Sequence, residues 1–362
     1  MVIAHLVGAK NWGGGEQYVY DISLELSKRG HKVYIFVATD QEFLKKKYSE
    51  VATVICVDLH NLMGIRAYKD LCKYLKEYKV DIINCHSGHY AFLSVLAKKA
   101  VPGIRLVIFR HNAQPNKKDS YHRWIRKQFD AVICVSRLVY DLQLRDLEKD
   151  NISKWYLVYS GINTNKFKKQ ISDNTTQQFV VGYAGRLVED KGLYVLIKAI
   201  GMLAESGQEV LLKIAGTGRS EFISSLKKEA KELKVECLVE FMGLQEDMNA
   251  FYRGLDLFVL PSIVSEAFGL VICEAMYCSV PVITTSSGAQ EEIIENGKNG
   301  WIVPPQDASS LKDKILEVML NKTQAALIAE KGKKTVSEKF TIDICVNNLE
   351  NVYVEILQKT CN

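Results

Sequence analysis

Two glutamates of the chain have the type and spacing to bind hydroxyl groups. Glu266 and Glu274 lie eight positions apart in residues 261–275, which read PSIVSEAFGLVICEA. The segment follows the apolar run Leu257–Leu260, so we expect Glu266 in a loop after a strand and Glu274 on the next helix. If that helix begins near Phe268, both carboxylates can face one ligand-binding side. They would accept hydrogen bonds from sugar or ribose hydroxyls; the alternative is two surface glutamates on an ordinary helix.

Phosphate-binding groups lie close to these glutamates and after another strand-like run. Gly269 and Leu270 stand where the helix should begin, and a helix start offers free backbone N–H groups that bind phosphate. Arg186 and Lys191 follow the predicted strand Val180–Ala184. The planar fork of an arginine and the point charge of a lysine could together neutralise a departing diphosphate. The alternative is a surface pair that flanks a helix start.

Glycines after the first strand-like run allow a ligand to approach the backbone. Gly14 and Gly15 belong to the triplet 13–15, and their missing side chains leave N–H groups open to a substrate or phosphate. A plain tight turn is the alternative. The dinucleotide fingerprint G-x-G-x-x-G is absent there, and the Gly216 to Gly218 segment is too short to form one, which argues against an NAD enzyme.

Histidines provide further candidates. His111 follows the predicted strand Leu106–Phe109 and should reach the end of the sheet, and His86 is a comparable second choice. A histidine at such a position can hydrogen-bond a substrate, or it can be an ordinary satisfied core histidine. For His5 and His31 we expect the ordinary structural role.

Alternating strands and helices must position these side chains. The alternation predicts an α/β fold in which a parallel sheet carries helices on both faces. Because the pattern restarts after the polar stretch 166–178, we predict two βα domains, 1–168 and 178–340. Residues 341–362 should form a closing helix that packs back on the first domain. The strand-like runs are Ile3–Val7, Val33–Ala38, Thr53–Val57, Ile82–Cys85, Leu106–Phe109, Ala131–Val135, Val180–Ala184, Leu211–Ala215, Val239–Met242, Leu257–Leu260 and Val280–Thr284.

The segment that carries the two glutamates resembles the signature of the retaining glycosyltransferases of the GT-B fold, family 4. In that family two glutamates separated by seven residues lie in a segment close to E-x-F-G-x-x-x-x-E-A, as residues 266–275 do here. Other sequence motifs of the family occur in the same order, at residues 13–16, 183–192, 214–218 and 256–262. The resemblance covers nearly the whole chain and implies two Rossmann-like domains that face each other across a cleft.

The resemblance also implies roles for single residues. The catalytic candidates become Glu266, Arg186, Lys191 and His111, with the cation pair on the leaving diphosphate and the histidine near the reacting sugar. The donor-binding candidates are Glu274, Phe268, Gly269, Leu270, Gly216, Gly243, Gly14 and Gly15. Nothing in the sequence resembles the Asp-x-Asp metal site of the other glycosyltransferase fold, so we expect no metal and no cofactor, with a nucleotide sugar as co-substrate.

The implied reaction is transfer of a sugar, with retention, from a nucleotide sugar to a hydroxyl acceptor, in cell-envelope polysaccharide or glycolipid synthesis. Two alternatives stay open. A nucleotide-sugar 2-epimerase of the same fold would bind the donor and need no acceptor. A non-catalytic subunit would bind the nucleotide sugar and catalyse neither reaction. The candidate residues retained at 186, 191, 266 and 274 argue against this second alternative.

Charge is distributed unevenly between the two halves. Residues 1–170 carry 28 Lys+Arg and 16 Asp+Glu, a balance of +12, and residues 171–362 carry 19 and 26, a balance of −7. The segment 117–129 places Lys and Arg on one helical face and aromatic side chains on another. It is either a sheet-covering helix with a solvated face or a patch for an anionic membrane surface or a lipid-linked sugar acceptor. Nucleic acid is disfavoured because no recognised binding module is present.

Composition excludes several other classes. No uncharged apolar run approaches the roughly 18 residues of a membrane-spanning helix, and the apolar start lacks the basic leader of a signal peptide. The nine cysteines are odd in number and form no C-x-x-C pair, which excludes a disulfide scaffold and a cysteine zinc site of usual spacing. We therefore expect a cytoplasmic protein, placed at the inner face of the membrane if the basic patch binds lipid.

Overall fold

The computed structural model describes residues 1–8, 12–58, 65–145, 149–167 and 178–359. The chain divides into two compact units: unit 1 is Met1–Gly161 with Ile342–Asn362, and unit 2 is Ile162–Thr341. The sequence placed the boundary in the linker 166–178, most of which lies outside the described residues. Residues 59–64 also lie outside them.

Unit 1 contains a seven-stranded parallel sheet in the order β3-β2-β1-β4-β5-β6-β7. All six runs predicted in this half form strands. Only β7 was not predicted, because three residues carry too little pattern. The strands are β1 (Val2–Leu6), β2 (Lys32–Ala38), β3 (Thr53–Val57), β4 (Ile82–Cys85), β5 (Arg105–Arg110), β6 (Ala131–Cys134) and β7 (Trp155–Leu157).

Helices follow the strands of unit 1 along the chain. They are α1 (Gly14–Lys28), α2 (Glu42–Tyr48), α3 (Ile65–Glu77), α4 (Ala91–Ala100), α5 (Ser120–Lys127) and α6 (Arg137–Leu144), and the last helix of the chain, α14 (Ile342–Gln358), belongs to the same unit. Helix α14 packs against α1. Nη1 of Arg29, the residue directly after α1, lies 2.7 Å from Glu350 Oε2 of α14, and Tyr353 of α14 accepts a hydrogen bond from Asn84 of β4. The C-terminal helix therefore completes unit 1, although 180 residues of unit 2 precede it in the chain.

Unit 2 contains a six-stranded parallel sheet in the order β10-β9-β8-β11-β12-β13. Here too every predicted run forms a strand, and only the three-residue strand β13 was not predicted. The strands are β8 (Phe179–Ala184), β9 (Val210–Ala215), β10 (Val239–Gly243), β11 (Leu257–Leu260), β12 (Val282–Thr285) and β13 (Trp301–Val303). The helices are α7 (Leu193–Glu205), α8 (Ser220–Glu232), α9 (Met248–Arg253), α10 (Leu270–Tyr277), α11 (Gln290–Ile293), α12 (Ala308–Leu320) and α13 (Lys322–Lys339).

The order of the strands defines where each unit can bind a ligand. Strands β4, β6, β8, β11 and β12 are buried along their whole length, as expected when helices cover both faces of a parallel sheet. The chain order reverses between β1 and β4 in unit 1 and between β8 and β11 in unit 2. Open α/β sheets bind ligands outside the carboxyl ends of their strands at such reversals. The loops after these four strands are therefore the candidate sites.

Candidate active site

The loops after β8 and β11 bring a lysine and a glutamate into direct contact. Lys191 Nζ and Glu266 Oε1 form an ion pair, and their side chains are only 17% and 14% exposed. The same carboxylate oxygen accepts a hydrogen bond of 2.5 Å from the hydroxyl of Ser262. Since a charge removed from water needs a partner, the two predicted catalytic groups hold each other in position.

A close backbone approach creates this contact. Gly192 has φ +68°, and a Cβ at this position would lie 2.0 Å from the carbonyl oxygen of Pro261. Ile263, two residues after Pro261, is held to the same loop, because its N–H donates to the Asp190 carbonyl at 3.0 Å. Only glycine permits both the left-handed backbone and the short separation. The Lys-Gly pair at 191–192 therefore brings the ammonium group to the loop that carries Glu266.

Residues at the end of β12 and just after it hold the same loop through hydrogen bonds. The Thr285 hydroxyl donates to the Ser262 carbonyl at 2.6 Å and lies 3.0 Å from the Ser287 hydroxyl. Gln290 Nε2 donates to Ser287 Oγ at 2.8 Å, and the Ala289 N–H donates to the Glu266 carbonyl at 3.0 Å. We did not single out these polar residues from the sequence. Their position directly after a buried strand next to β11 was the available signal.

Arg186 lies at the carboxyl end of β8, as predicted. Its side chain is exposed and has no hydrogen-bond or ion-pair partner within the described ranges. Its carbonyl accepts a 2.8 Å hydrogen bond from the buried Tyr183 hydroxyl, which fixes the backbone of the loop. The guanidinium is therefore available to an anionic ligand at the same end of the sheet as Lys191.

Helix α10 begins at Leu270 with Gly269 as its N-cap residue, so the helix starts near Phe268, where the sequence indicated. Gly269 has φ +106° and cannot continue a right-handed helix, which sets the start at the next residue. No side chain caps this helix start, so its first N–H groups are open to a ligand. Phe268 is 4% exposed, and its ring packs edge-on against Phe340 at 5.5 Å. The Phe268 side chain therefore belongs to the core, and only the backbone of this residue lies near the helix start.

Glu274 lies in the second turn of α10. Its Oε2 accepts a 2.8 Å hydrogen bond from the hydroxyl of Tyr252, which is fully buried on α9. Burial, together with the nearby carboxylate, raises the pKa of Tyr252 well above its usual value, so the hydroxyl stays protonated and donates. The sequence did not identify Tyr252 as a partner of Glu274.

Gly216 and Gly243, the two predicted donor-binding glycines at the ends of β9 and β10, have a backbone contact or conformation that favours glycine. A Cβ on Gly216 would lie 1.8 Å from the Gly185 carbonyl oxygen, so the loops after β8 and β9 pack too closely for a side chain. The Gly216 N–H donates to the Gly243 carbonyl at 2.7 Å. Gly243 has φ +68° with open space where a Cβ would stand. These contacts bring three strand ends together around Arg186.

In unit 1 the glycine candidates form the first turn of a helix. Helix α1 begins at Gly14, and its N-cap residue Gly13 makes no side-chain capping hydrogen bond. A Cβ on Gly15 would meet no atom within 4 Å. The glycines therefore leave the backbone of this first turn uncovered by their own side chains, while the carboxylate of Glu16 lies close by, 3.2 Å from where a Cβ on Gly13 would stand.

His111 follows β5 and is joined to His86, our second choice, which follows β4. His111 Nε2 lies 3.0 Å from His86 Nδ1, and His86 Nε2 lies 2.8 Å from His5 Nδ1. Burial lowers the pKa of His111 to about 4 and that of His5 to about 3. For His86, burial and its histidine neighbours lower the pKa well below the usual value. His31 instead pairs with Glu350 at 2.6 Å, in the structural role that we expected.

The family models match both halves of the chain. The model described as Glycosyltransferase Family 4 matches residues 12–166, and the model described as Glycosyl transferases group 1 matches residues 164–335. The chain belongs to the group 1 glycosyltransferases of family 4. It is therefore an enzyme of the glycosyltransferase class, EC 2.4, as its sequence predicted.

Similar proteins span the full length of this glycosyltransferase. An uncharacterised glycosyltransferase of Methanocaldococcus jannaschii is 27% identical over 94% of this chain and 95% of its own. The phosphatidyl-myo-inositol mannosyltransferase of Mycobacterium leprae is 22% identical over 94% of this chain and 92% of its own. The crystal structure of Anabaena HepE in complex with UDP and glucose has a TM-score of 0.83 at 21% identity and covers 96% of this chain and 98% of its own. This likeness confirms the predicted GT-B fold.

Within the described parts of this glycosyltransferase, no group of three or more His, Cys, Asp or Glu side chains is arranged to hold a metal ion. None of the helices described is long and apolar enough to cross a membrane.

Proposed function

We propose that this enzyme transfers a sugar from a nucleotide sugar to a hydroxyl acceptor with retention of anomeric configuration and without a metal ion, in cell-envelope polysaccharide or glycolipid synthesis. The observation that carries the proposal is the Lys191–Glu266 pair, supported by Ser262, at the reversal of strand order in unit 2. HepE, which has the same fold, was crystallised with UDP and glucose, so UDP-glucose is the first donor to test.

The cations of unit 2 supply the charge that the leaving group needs. When the bond between the sugar and the diphosphate breaks, negative charge develops on the phosphate oxygens. Lys191, already oriented by its carboxylate partner, and the exposed Arg186 can neutralise that charge together with the N–H groups at the start of α10. Because two side-chain cations are present, the reaction needs no divalent ion at this position.

The carboxylates orient the donor. Glu266 accepts hydrogen bonds from hydroxyls of the donor sugar, and Glu274, positioned by Tyr252, accepts them from the ribose. The acceptor oxygen attacks C1 on the face from which the diphosphate leaves. The C1–phosphate oxygen bond breaks, the C1–acceptor oxygen bond forms, and the acceptor proton passes to the leaving phosphate. This sequence retains the configuration without a protein nucleophile.

Product analysis tests the proposal. The purified enzyme is incubated with UDP-, GDP- and ADP-sugars, with and without a panel of hydroxyl acceptors and EDTA, and the products are identified by NMR. We expect a glycoside with the donor's anomeric configuration at an undiminished rate in EDTA. An isomerised donor sugar formed without acceptor would favour the 2-epimerase, and donor binding with no product would favour the binding subunit. Inversion of configuration or loss of rate in EDTA would contradict the retaining or metal-free part.

We further propose that the acceptor is a glycan or lipid-linked sugar and that unit 1 binds the anionic inner surface of the membrane through α5. On this short helix only Ile125 is buried. Tyr121 and Trp124 are 48% and 37% exposed, which a helix serving only to cover the sheet would not require. Lys99 lies over the Trp124 ring at 5.0 Å. Exposed aromatic side chains among Lys and Arg are typical of a surface that inserts at the lipid interface.

Vesicle sedimentation tests this surface. We expect the enzyme to bind vesicles of phosphatidylglycerol and phosphatidylcholine at low salt and to dissociate as salt rises. The variant Trp124→Ala should bind more weakly, whereas Trp301→Phe in unit 2, where the side chain is buried in β13, should not change binding. Equal binding to neutral vesicles, or none at low salt, would exclude an anionic membrane partner.

A further inference from the structure

Three histidines of unit 1 are joined ring to ring across three neighbouring strands. His5 lies on β1, and His86 and His111 directly follow β4 and β5. The contacts are His5 Nδ1 to His86 Nε2 at 2.8 Å and His86 Nδ1 to His111 Nε2 at 3.0 Å. Successive ring planes differ by only 26° and 22°. The row runs from the fully buried His5 to His111 at the carboxyl end of the sheet.

The row is neutral, lies against aromatic rings, and meets a further hydrogen-bonding group at its inner end. Phe109 stacks on His86 at 4.4 Å, and Tyr18 packs edge-on against His111 at 5.3 Å. The amide nitrogen of Asn84 lies 3.5 Å from His5 Nδ1 and donates at 2.6 Å to the Tyr353 hydroxyl of α14. Among the described residues, no carboxylate and no Lys or Arg side chain is hydrogen-bonded to any of the three rings. Burial lowers the pKa of each ring, so none is charged near neutral pH.

A neutral imidazole has one N–H and one lone pair, and each contact between rings needs one of each. If His86 carries its proton on Nε2, it donates to His5 and must accept from His111, so all three rings are protonated on Nε2. If it carries the proton on Nδ1, all three are protonated on Nδ1. If the three rings carried different tautomers, at least one of the two hydrogen bonds between them would be lost. The state of His5 therefore decides which function His111 Nδ1, the last ring nitrogen of the row, presents to a ligand.

We infer that His5 and His86 are positioning residues which fix the orientation and the tautomer of His111 through this row of hydrogen bonds. The inference rests on the proposed function and on the sugar-binding role that the family resemblance implies for His111. A sugar hydroxyl meets a single function at His111 Nδ1, either an acceptor or a donor, and not a mixture of the two. This single function is what an enzyme needs in order to orient a hydroxyl-rich ligand.

The tautomers can be observed directly, without substrate. In the full-length protein labelled with ¹⁵N-histidine, long-range ¹H–¹⁵N spectra at pH 7 distinguish Nδ1–H from Nε2–H rings, and His86→Gln and His111→Gln assign the signals. We expect His5, His86 and His111 to share one tautomer. Different tautomers, or rapid averaging between them at His111, would overturn the inference. Because this readout needs no activity, it separates failure of the inference from failure of the proposed function.

Two substitutions of His5 separate the row from ordinary core packing. Asn at this position can place a polar atom close to that of His5 Nδ1, whereas Leu fills the space and breaks the contact. A packing role alone predicts that Leu is tolerated better, because the site is fully buried. We expect the reverse for catalysis: His5→Leu should lower kcat about tenfold, the scale of one lost hydrogen bond, while His5→Asn keeps most of it.

The control is His89→Asn, an exposed histidine three residues after His86, which should leave both kcat and the spectra of the other histidines unchanged. In His5→Leu the His111 signals should shift or change tautomer. If His5→Leu fails to fold, the wild-type tautomer pattern still decides. Equal kcat in the Leu and Asn variants, with His111 signals unaltered, would make His5 an ordinary core residue.

Discussion

Lys191 and Glu266 form a partly buried ion pair, although they are 75 residues apart in the chain. The pair joins the cation that would hold the leaving diphosphate to the carboxylate that would hold the donor sugar. Each group therefore fixes the position of the other, and the Ser262 hydroxyl holds the carboxylate further through its hydrogen bond. A donor that binds here meets charges that are already oriented, which is the condition for electrostatic stabilisation of a transition state.

The first prediction concerns the carboxylate of this pair. Glu266→Gln keeps the size of the side chain and a hydrogen-bond acceptor for Ser262 but removes the negative charge. We expect kcat for sugar transfer to fall by about 10²–10³-fold, the usual effect of removing one transition-state contact, and the melting temperature to fall as well, because Lys191 keeps its charge without a carboxylate partner. Initial rates and thermal unfolding measure the two effects.

Another ion pair in unit 2 provides the matched control. Lys228 Nζ lies 3.5 Å from Glu232 Oε1 on α8, and both side chains are more than half exposed. Exposed pairs of this kind contribute little to stability, so Glu232→Gln should behave like the wild type. If Glu266→Gln also transferred sugar at the wild-type rate, Glu266 would have no part in the reaction.

The second prediction concerns phosphate binding by Lys191. Lys191→Gln should weaken binding of the nucleoside diphosphate about 10- to 100-fold, because a charge-assisted contact to phosphate is lost. The affinity for the nucleoside without phosphates should not change, and calorimetry with UDP and uridine tests both. Lys198→Gln, an exposed position on α7, is the control. An equal loss for both ligands would mean that the substitution disturbs the whole pocket.

The third prediction concerns the hydroxyl that positions Glu274. Tyr252→Phe removes the buried donor to Glu274 Oε2, so we expect the donor KM to rise several-fold with a smaller change in kcat, and stability to fall by about 1 kcal/mol. Tyr194→Phe is the control, because that exposed hydroxyl donates to Ser225. A lower melting temperature with an unchanged donor KM would leave Tyr252 a purely structural role.

Strands and helices could be predicted from the sequence more accurately than contacts between residues that are distant in the chain. Its apolar runs identified eleven of the thirteen strands in the described residues, because a parallel strand covered on both faces must be apolar throughout. The three-residue strands β7 and β13 carry too little pattern to be recognised. The start of α10 was indicated only to within two residues, because sequence periodicity does not reveal that Gly269 adopts a left-handed backbone.

Long-range contacts depended on the order of the strands, which the sequence did not specify. The Lys191–Glu266 pair requires β8 and β11 to be neighbours and Gly192 to lie against Pro261. His5 looked like an ordinary core histidine, since nothing local to β1 indicates that β4 and β5 bring two more histidines beside it.

The last prediction concerns the acid sensitivity of this histidine row. In the unfolded chain a histidine takes up a proton below pH about 6.5, whereas burial lowers the folded-state pKa to about 3 for His5 and about 4 for His111, and well below the usual value for His86. The unfolded state therefore binds more protons below pH 6.5. Stability is fully present above that pH and falls as the pH drops towards 4, by up to about 1.4 kcal/mol per pH unit for each histidine.

Three of the four tryptophans lie in unit 1, so tryptophan fluorescence during heating at pH 7, 6 and 5 follows mainly that unit. His5→Asn removes one of the three titrating groups, so its melting temperature should depend less steeply on pH than that of the wild type. His89→Asn, which replaces an exposed histidine, should keep the wild-type slope. If melting temperature changed equally with pH in the wild type and in His5→Asn, His5 would take up its proton as easily in the folded protein as in the unfolded chain.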